Sequence, residues 1–443
     1  MGCGGSRPEY SDTPNPLQTA ASIKFAVGYN GMKNWKGHTY VVDERIAFVV
    51  GLDGVAVLDI SDQANVMCVA KLKKGELKNG KNGRIAIIPN SKVALLLGDG
   101  GLCVLDFSDP PNTKVLKVIK NTPAECEPGR VAIVDAKTAL IVGQLGVGVL
   151  DISDPQNVEQ VAVKVKTGVL KACAQEARVA IIPNSKVALV TGGKGLCVLD
   201  VSDPPNAKVL KVFDSKNSNG VPVDGVRSIT FVDAQTALVV GVLGQVAVLD
   251  IADPQNVQIL SLVDPKVSYG GPSRPIILGT RALVHGWKGL AVVDFTDRAN
   301  VKALATLDTG VSPYEGRTRF KLMADGRHVM ITGNRGAAIV DISDLSAPVK
   351  VGATINTGVL TNDWDLGQIV VLEEYALVVG EERIATIGID DLTNPKVMKP
   401  VTHGGHQAGD HPLRSKLLAI GNMHFLLLSP RGVNVLKITA GGA

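Results

Sequence analysis

The sequence predicts an all-β fold, a single closed β-propeller of nine four-stranded blades. A phrase of the form apolar-apolar-Asp-apolar-Ser-Asp-Pro returns every 44 to 50 residues, and each repeat divides into short apolar runs separated by turn residues. A repeat of this length built from short strands is typical of a propeller blade. The lead position of the phrase is Asp59, Asp106, Asp151, Asp200, Asp250, Asp294 and Asp341, and then Gly388 and Lys437. Nine copies predict nine blades; eight is the alternative if the weak eighth copy is distorted.

The third repeat shows how the strands of one blade follow each other. Its apolar runs lie at Arg130–Val134, Thr138–Gly143, Gly146–Ile152 and Val158–Lys166. Proline and carboxylates in the turn at 153–157 favour a tight reversal of the chain. The order predicts an antiparallel meander of four strands. Because the turn carboxylates recur in nearly every blade, we expect them to accept backbone N–H groups rather than to act in acid–base catalysis.

The two ends of the chain are predicted to share the last blade. The ninth copy, Lys416–Ile438, contains three strands, whereas Ser22–Asn30 has the pattern of an outer strand that lacks a blade. We therefore expect the N-terminal strand to complete the last blade and to remove an open sheet edge. Residues 1–21, rich in Gly, Ser, Pro and Thr, are predicted to be a flexible lead, and residues 22–443 to form the propeller.

Composition limits the classes of function. The chain has 46 basic and 42 acidic residues, a net charge of +4, and no dense run of Lys or Arg, so no nucleic-acid partner is expected. Cys103 and Cys197 lie in identical GLCVLD runs and are predicted to be small buried hydrophobes in a reducing compartment. With no apolar run of about 18 residues and no secretory signal, neither a membrane span nor export is predicted. We expect a monomer.

Several of these phrases resemble those of a known family. GVAVLDISD, GLAVVDFTD and GAAIVDISDLSAPVKVG are similar to the repeats of LVIVD-repeat β-propellers, over about residues 38 to 438. The resemblance implies the propeller fold and no particular catalytic motif. The Asn-Pro that usually follows the turn is retained only near Asn394-Pro395 and, loosely, at Ala347-Pro348.

The N-terminus, MGCGGS, has the pattern of a lipidated protein. Gly2 with Ser6 fits N-myristoylation, and Cys3 is a candidate palmitoyl acceptor. Two acyl chains would hold the protein durably at the cytoplasmic face of a membrane, whereas one chain holds weakly. A chance glycine-rich start is the alternative, and the protein would then be cytoplasmic.

A second candidate site consists of arginines at one position of the repeat. They lie 20 to 23 residues before the lead positions and are predicted to begin the innermost strands, facing one mouth of the central channel. Clustered guanidinium groups suit carboxylate or phosphate ligands. The arginines are Arg84, Arg130, Arg178, Arg227, Arg274, Arg319 and Arg414. The alternative is a structural lattice, because acidic residues precede most of them; Arg84 and Arg274 lack such a neighbour and are the preferred candidates for anion contact.

A third candidate is the segment THGGHQAGDHPLR. His403, His406, Asp410 and His411 are residue types that bind zinc or a similar divalent ion. Their spacing matches no established metal signature, so a solvated loop without a cofactor is the preferred interpretation.

Taken together, these patterns predict a non-catalytic scaffold, tethered to a membrane, that binds a protein or peptide. The alternative is an enzyme, or a protein that binds a small anion or metal at the channel mouth.

Overall fold

The structure is a computed structural model of the chain. It describes residues 10, 17–24, 38–51, 54–73, 77, 84–98, 101–123, 129–143, 145–167, 169, 178–192, 195–214, 226–241, 244–267, 274–286, 288–311, 319–333, 335–359, 368–380, 383–402, 416–420, 424–429 and 432–438. Every structural statement below concerns these residues.

The described residues form nine antiparallel sheets, and strands within a sheet pair in chain order except in blade 8, where β34 pairs with β32, and in the last sheet, where β1 pairs with β37. The N-terminal strand is β1 (Leu17–Lys24), and blades 1 to 3 contain β2 (His38–Val41), β3 (Ile46–Gly51), β4 (Gly54–Asp59), β5 (Met67–Lys73), β6 (Arg84–Ile87), β7 (Val93–Gly98), β8 (Gly101–Asp106), β9 (Lys114–Ile119), β10 (Arg130–Ile133), β11 (Thr138–Gly143), β12 (Gly146–Asp151) and β13 (Glu159–Val165). Blades 4 to 6 contain β14 (Arg178–Ile181), β15 (Val187–Gly192), β16 (Gly195–Asp200), β17 (Lys208–Asp214), β18 (Val226–Phe231), β19 (Thr236–Gly241), β20 (Val246–Asp250), β21 (Gln258–Val263), β22 (Ile276–Leu278), β23 (Arg281–Gly286), β24 (Gly289–Asp294) and β25 (Lys302–Leu307). Blades 7 to 9 contain β26 (Arg319–Leu322), β27 (His328–Gly333), β28 (Gly336–Asp341), β29 (Val349–Ile355), β30 (Gln368–Val371), β31 (Tyr375–Val379), β32 (Arg383–Gly388), β33 (Lys396–Val397), β34 (Val401–Thr402), β35 (Lys416–Ala419), β36 (His424–Ser429) and β37 (Gly432–Ile438).

This arrangement is a nine-bladed β-propeller, and the prediction of the fold class is confirmed. The weak eighth copy also forms a blade, but its fourth strand is split into β33 and β34, which both pair with β32. Pro400 lies between the two pieces. Because proline has no N–H group to donate to the neighbouring strand, it accounts for the interruption.

The N-terminal strand completes the last blade, as the sequence predicts. β1 pairs with β37, and the sheet order is β1, β37, β36, β35. The strand begins at Leu17, earlier than the predicted start at Ser22 and inside the segment predicted to be a flexible lead. Leu17 is 2% exposed and joins a buried cluster with Phe425 and Leu436, so burial of an apolar side chain fixes the strand in place.

The apolar core lies between the faces of successive blades. The second and third strands are buried along their whole length, as in β7 and β8, which explains their unbroken Val, Leu and Ile runs. One cluster joins Leu95 of blade 2 to Ile141 of blade 3, and another joins Leu283 of blade 6 to Ile331 of blade 7. Within each pair, a blade thus covers apolar faces that its neighbour could not bury alone.

The contacts divide the chain into two compact units. One consists of Ile23–Val263 with Arg298–Asn300 and contains blades 1 to 5; the other consists of Met1–Ser22, Asp264–Asp297 and Val301–Ala443 and contains blades 6 to 9. In the first unit the first strands β6, β10, β14 and β18 are neighbours in that order. In the second, β26, β30 and β35 follow one another in the same way.

Glycine begins most third strands because the chain approaches the fourth strand closely there. Gly336 has φ of +124°, and a Cβ at this position would lie 2.1 Å from the carbonyl oxygen of Ile355. Gly101 is held in the same way, with φ of +136° and 2.4 Å to the carbonyl oxygen of Ile119. A side chain at either position would be excluded by both conformation and space.

Candidate anion site at the first strands

The lead aspartates of the repeats are turn residues, as predicted. Ser61 N–H donates to Asp59 Oδ1 at 2.9 Å, and Ser153 N–H donates to Asp151 Oδ1 at the same distance. Hydrogen bonds from the Ser61 side chain and backbone lower the pKa of Asp59 below its ordinary value. These carboxylates are held ionised by the turn itself, so they are poorly suited to donate a proton at neutral pH.

Four of the predicted arginines occupy one structural position. Arg84, Arg130, Arg178 and Arg319 are each the first residue of a first strand. Arg84 pairs with Leu97, and Arg178 pairs with Thr191, whose Oγ1 accepts the Arg178 backbone N–H at 3.1 Å. The inner strands therefore begin where the sequence predicted for these blades.

The register differs at Arg227. In blade 5, Val226 pairs with Gly241 and Ser228 pairs with Val240, so Arg227 lies in a β-bulge between them. Ser228 consequently occupies the position that Arg84 occupies in blade 2. A bulge inserts one residue into a strand and moves the following side chains by one place.

Arg274 and Arg414 do not begin first strands. Arg274 is exposed and precedes β22, which starts at Ile276. Arg414 lies outside the described residues, and the register position in blade 9 belongs to Lys416, which pairs with Leu428. Counting 20 to 23 residues back from the lead residue thus located the strand start at four of the seven arginines and missed it at the other three.

The side chain of Arg84 lies over the junction of blades 2 and 3. Paired residues of an antiparallel sheet share a face, and the partner of Arg84, Leu97, belongs to the cluster that contains Ile141 of blade 3. Arg130 shares its face with Val142, which packs in the cluster joining blades 3 and 4. Arginines on neighbouring strands therefore lie over successive junctions.

The guanidinium of Arg84 contains a buried nitrogen, Nε, without a hydrogen-bond partner among the described residues. Burial lowers the pKa of the Arg84 guanidinium, and the positive charge of Arg178 lowers it further. Arg130, Arg178 and Arg319 take part in interactions of their own. A guanidinium that is desolvated and lies near a second cation favours an anion as its neighbour.

Two further predicted sites fall on residues outside the description. Gly2 and Cys3 precede the first described residue, and the candidate metal ligands His403, His406, Asp410 and His411 lie between β34 and β35. Within the part of the chain that the structure describes, no group of three or more His, Cys, Asp or Glu side chains is placed to hold a metal ion. Nor does any described helix have the length and apolar character needed to cross a membrane.

The cysteines of the GLCVLD runs are buried, as predicted. Cys103 Sγ donates to the carbonyl oxygen of Leu77 at 2.9 Å, and Cys197 is 0% exposed. Burial raises the pKa of the Cys103 thiol to about 11 and that of Cys197 to about 12. Both thiols remain protonated at neutral pH and pack as small apolar side chains.

The sequence analysis missed ion pairs that connect adjacent blades. Lys92 Nζ of blade 2 lies 3.1 Å from Asp43 Oδ2 of blade 1, and Lys186 Nζ of blade 4 lies 3.2 Å from Asp135 Oδ2 of blade 3. Burial acts to raise the pKa of Asp43, but hydrogen bonds from Arg45 N–H and Lys92 outweigh it and lower the pKa. The sequence does contain a signal for these ion pairs: an aspartate turn alternates with a Pro-Asn-Ser-Lys turn in successive repeats.

Comparison with known proteins places the chain among β-propellers. Residues 324–355, which contain β27, β28 and β29, match the LVIVD repeat family model. The resemblance to LVIVD-repeat propellers is therefore confirmed over this repeat. No curated protein matches the chain in sequence.

Solved structures resemble it in fold at low sequence identity. Saccharomyces cerevisiae Sqt1 has 8% identity and a TM-score of 0.50, covering 80% of this chain and 95% of that chain. The WD40 domain of SCAP from fission yeast has 12% identity and a TM-score of 0.46, covering 96% and 98%. The periplasmic gluconolactonase PpgL of Pseudomonas aeruginosa has 16% identity and a TM-score of 0.42, covering 72% and 93%. Because a fold of this kind serves unrelated functions, the likeness to Sqt1 concerns architecture alone.

Proposed function

We propose that this propeller is a non-catalytic binding protein that holds a carboxylate or phosphate group of a protein or peptide partner at the arginines of its first strands. The observation that carries the proposal is the buried Nε of Arg84, which lacks a hydrogen-bond partner among the described residues. An anion would supply that partner and offset the repulsion from Arg178.

The position of Arg130 supports a site that spans more than one blade. It begins β10, which lies between β6 and β14, the strands that Arg84 and Arg178 begin. Three cations from neighbouring strands favour a group with several oxygen atoms over a single neutral acceptor.

The lead aspartates support a binding role rather than an enzymatic one for the repeat motif. Each of Asp59, Asp151 and Asp294 accepts hydrogen bonds from the residue two positions on, and each has a lowered pKa for that reason. Catalysis by paired carboxylates needs one group that remains protonated near neutral pH. The turn hydrogen bonds instead keep these aspartates ionised near neutral pH.

Attachment to the cytoplasmic face of a membrane is the second part of the proposal, and it is supported by the sequence pattern at Gly2 and Cys3. Acylation there would keep the binding site close to partners on the same surface.

Titration of the full chain with inorganic phosphate, and separately with citrate, tests the proposed anion site by calorimetry. The variant Arg84→Gln should bind at least one of these anions about tenfold more weakly, because one charged hydrogen-bond donor is lost. Arg45→Gln, which changes an exposed turn arginine of blade 1, is the matched control and should bind as the wild type does. Equal affinity of Arg84→Gln and wild type for both anions would refute the site.

The variant Arg84→Met separates a binding role from a structural one. If Arg84 serves binding, replacing a desolvated cation by an apolar side chain of similar length should leave thermal stability in anion-free buffer unchanged or raised. A structural arginine would give a lowered melting temperature instead. Added phosphate should stabilise the wild type more than this variant.

A further inference from the structure

Two ion pairs between neighbouring turns of the first unit can be compared with the corresponding turns of the second unit. In blades 1–2 and 3–4, a lysine directly before the second strand reaches an aspartate three residues before the second strand of the preceding blade: Lys92 reaches Asp43, and Lys186 reaches Asp135. These pairs fill the groove between the two turns with opposite charges.

Blades 6 and 7 retain the cation of this arrangement and lack its carboxylate. Arg327 directly precedes β27, as Lys92 directly precedes β7. The turn between β22 and β23 is one residue shorter than that of blade 1: Leu278 pairs with Arg281 as Val42 lies opposite Ile46, so Gly279 stands where the aspartate would be.

Arg327 is exposed, and its backbone N–H donates to Asp325 Oδ1 at 2.9 Å, but its guanidinium makes no ion pair or hydrogen bond with a described residue. Its charge acts on Asp341, whose pKa is lowered mainly by hydrogen bonds from Ser343.

A cleft of about 610 Å³ opens at this place, wholly within the second unit. Its apolar wall consists of Leu278, Ile342 and Leu345, and its cations are Arg281 and Arg327.

The charges of the cleft favour an anion. Arg281 Nε lies 3.5 Å from Asp294 Oδ2, so this cation is partly neutralised. Asp344 also lines the cleft and stays negatively charged, with its Oδ1 accepting the N–H of Ser346 at 2.8 Å and the Ser346 hydroxyl at 2.6 Å, so the lining residues carry two cations and one anion. A carboxylate placed beside Arg327 would restore the pairing that the first unit makes internally.

We infer that this cleft, called here the blade 6–7 cleft, binds an acidic peptide segment of a partner protein, with a carboxylate at Arg327 and an adjacent aliphatic side chain against Leu278 and Leu345. The argument rests on charge complementarity and on the missing internal aspartate, and it is independent of the arginines of the first strands. A free inorganic anion would leave the apolar wall uncovered, so a peptide fits the cleft better.

The test uses capped hexapeptides that alternate leucine with aspartate, with serine or with lysine, titrated into the full chain by fluorescence anisotropy. The aspartate peptide should bind wild type at least about tenfold more tightly than the serine peptide, and the lysine peptide should bind weakest. The variant Arg327→Gln should lower affinity for the aspartate peptide about tenfold.

A second variant supplies a carboxylate from the protein itself, which should compete with the peptide for Arg327. Gly279→Asp places a carboxylate at the turn position that Asp43 holds in blade 1, so it should pair with Arg327 and weaken binding of the aspartate peptide about tenfold. Gly279→Asn is the matched control, because it alters the same turn position without adding a charge, and it should bind more tightly than Gly279→Asp. Circular dichroism and thermal unfolding establish that each variant is folded.

The outcomes separate this inference from the proposed function. Equal affinity of wild type for the aspartate and serine peptides would overturn it, as would identical binding by Gly279→Asp and Gly279→Asn. Loss of aspartate-peptide binding in Arg84→Gln but not in Arg327→Gln would assign the peptide to the first-strand arginines; that result would overturn the blade 6–7 cleft and support the proposed function.

Discussion

Leu17 and Leu436 lie in one buried cluster although they come from opposite ends of the chain. Leu17 belongs to β1 and Leu436 to β37, the two strands that pair in the last blade. The last blade is therefore held together by apolar contacts between the two ends as well as by strand pairing.

Replacing Leu17 tests how much that closure stabilises the protein. Leu17→Ala should lower the free energy of unfolding by about 3 kcal/mol, because a fully buried leucine is truncated and its cavity fills only in part. The neighbouring exposed residue provides the control: Gln18→Ala should change stability by less than about 0.5 kcal/mol. Urea unfolding measures both, and equal stability of the two variants would show that β1 contributes little.

The turn aspartates predict how stability depends on pH. The pKa of Asp151 lies below its ordinary value of 3.8 because the side chain and backbone of Ser153 donate to the ionised carboxylate. A lowered pKa in the folded state means that the stabilisation is complete above the unfolded-state value and disappears as the pH falls through the folded-state value. Asp151→Ala should therefore cost about 1 kcal/mol at pH 7 and progressively less below about pH 4.

Unfolding at a series of pH values between 7 and 2.5 measures this difference. Glu44→Ala is the control, since Glu44 is an exposed acidic turn residue of blade 1 whose carboxylate accepts no hydrogen bond from a described residue. A cost of Asp151→Ala that stays constant over the whole pH range would contradict the assignment of the turn carboxylate.

The glycines that begin the third strands predict a sharp contrast within blade 7. Gly336→Ala should destabilise the protein by about 3 kcal/mol or more, because φ is +124° and the added Cβ would meet the carbonyl of Ile355 at 2.1 Å. Gly326 has φ of +68° and no atom within 4 Å of an added Cβ, so Gly326→Ala should cost about 1 kcal/mol. Denaturant midpoints compare the two; similar losses would mean that backbone strain alone, and not the close approach, determines the effect.

Lipidation predicts a change in membrane binding. When the full chain is produced together with an N-myristoyltransferase, part of it should sediment with lipid vesicles, because a single acyl chain binds them weakly, whereas Gly2→Ala should remain in the supernatant. Gly5→Ala, which leaves the acylation pattern intact, should behave as the wild type does. Intact mass should show the added acyl chain in the same samples, and unmodified wild type would exclude the tether.

The fold was predictable from sequence because every repeat carries the same local signals. The lead aspartates, the proline turns and the buried apolar runs agree with one another in most copies, and the structure confirms the blades that they predict. The bounds of β1 were less predictable, since Leu17 is positioned by a cluster whose other members lie near the end of the chain.

The candidate site was predictable only where the strand register is regular. Arg84, Arg130 and Arg178 begin their strands. In blade 5 a bulge places Ser228 at the equivalent register position, and Arg227 lies in the bulge. A bulge depends on how a strand packs against its neighbours, and a one-residue shift leaves the repeat length almost unchanged.

The pairing of neighbouring turns could not be predicted in advance of the structure. Lys92 and Asp43 are 49 positions apart, and only the packing of two blades brings them together. The difference in blade 6, a shorter turn with Gly279 at the position of the aspartate, can be recognised only by comparison with the strand register of the other blades.

Irregularities between the third and fourth strands have a consequence for how partners can attach. The register shifts between Val57 and Leu58 in blade 1, and at the corresponding place in blades 2 to 6. Such bulges twist the outermost strand, whose hydrogen-bonding groups would otherwise offer a flat template for another chain. A partner should consequently recognise side chains at the turns instead of extending a sheet by one strand. The same twist allows many exposed edges to coexist on one molecule without promoting fibrous self-association.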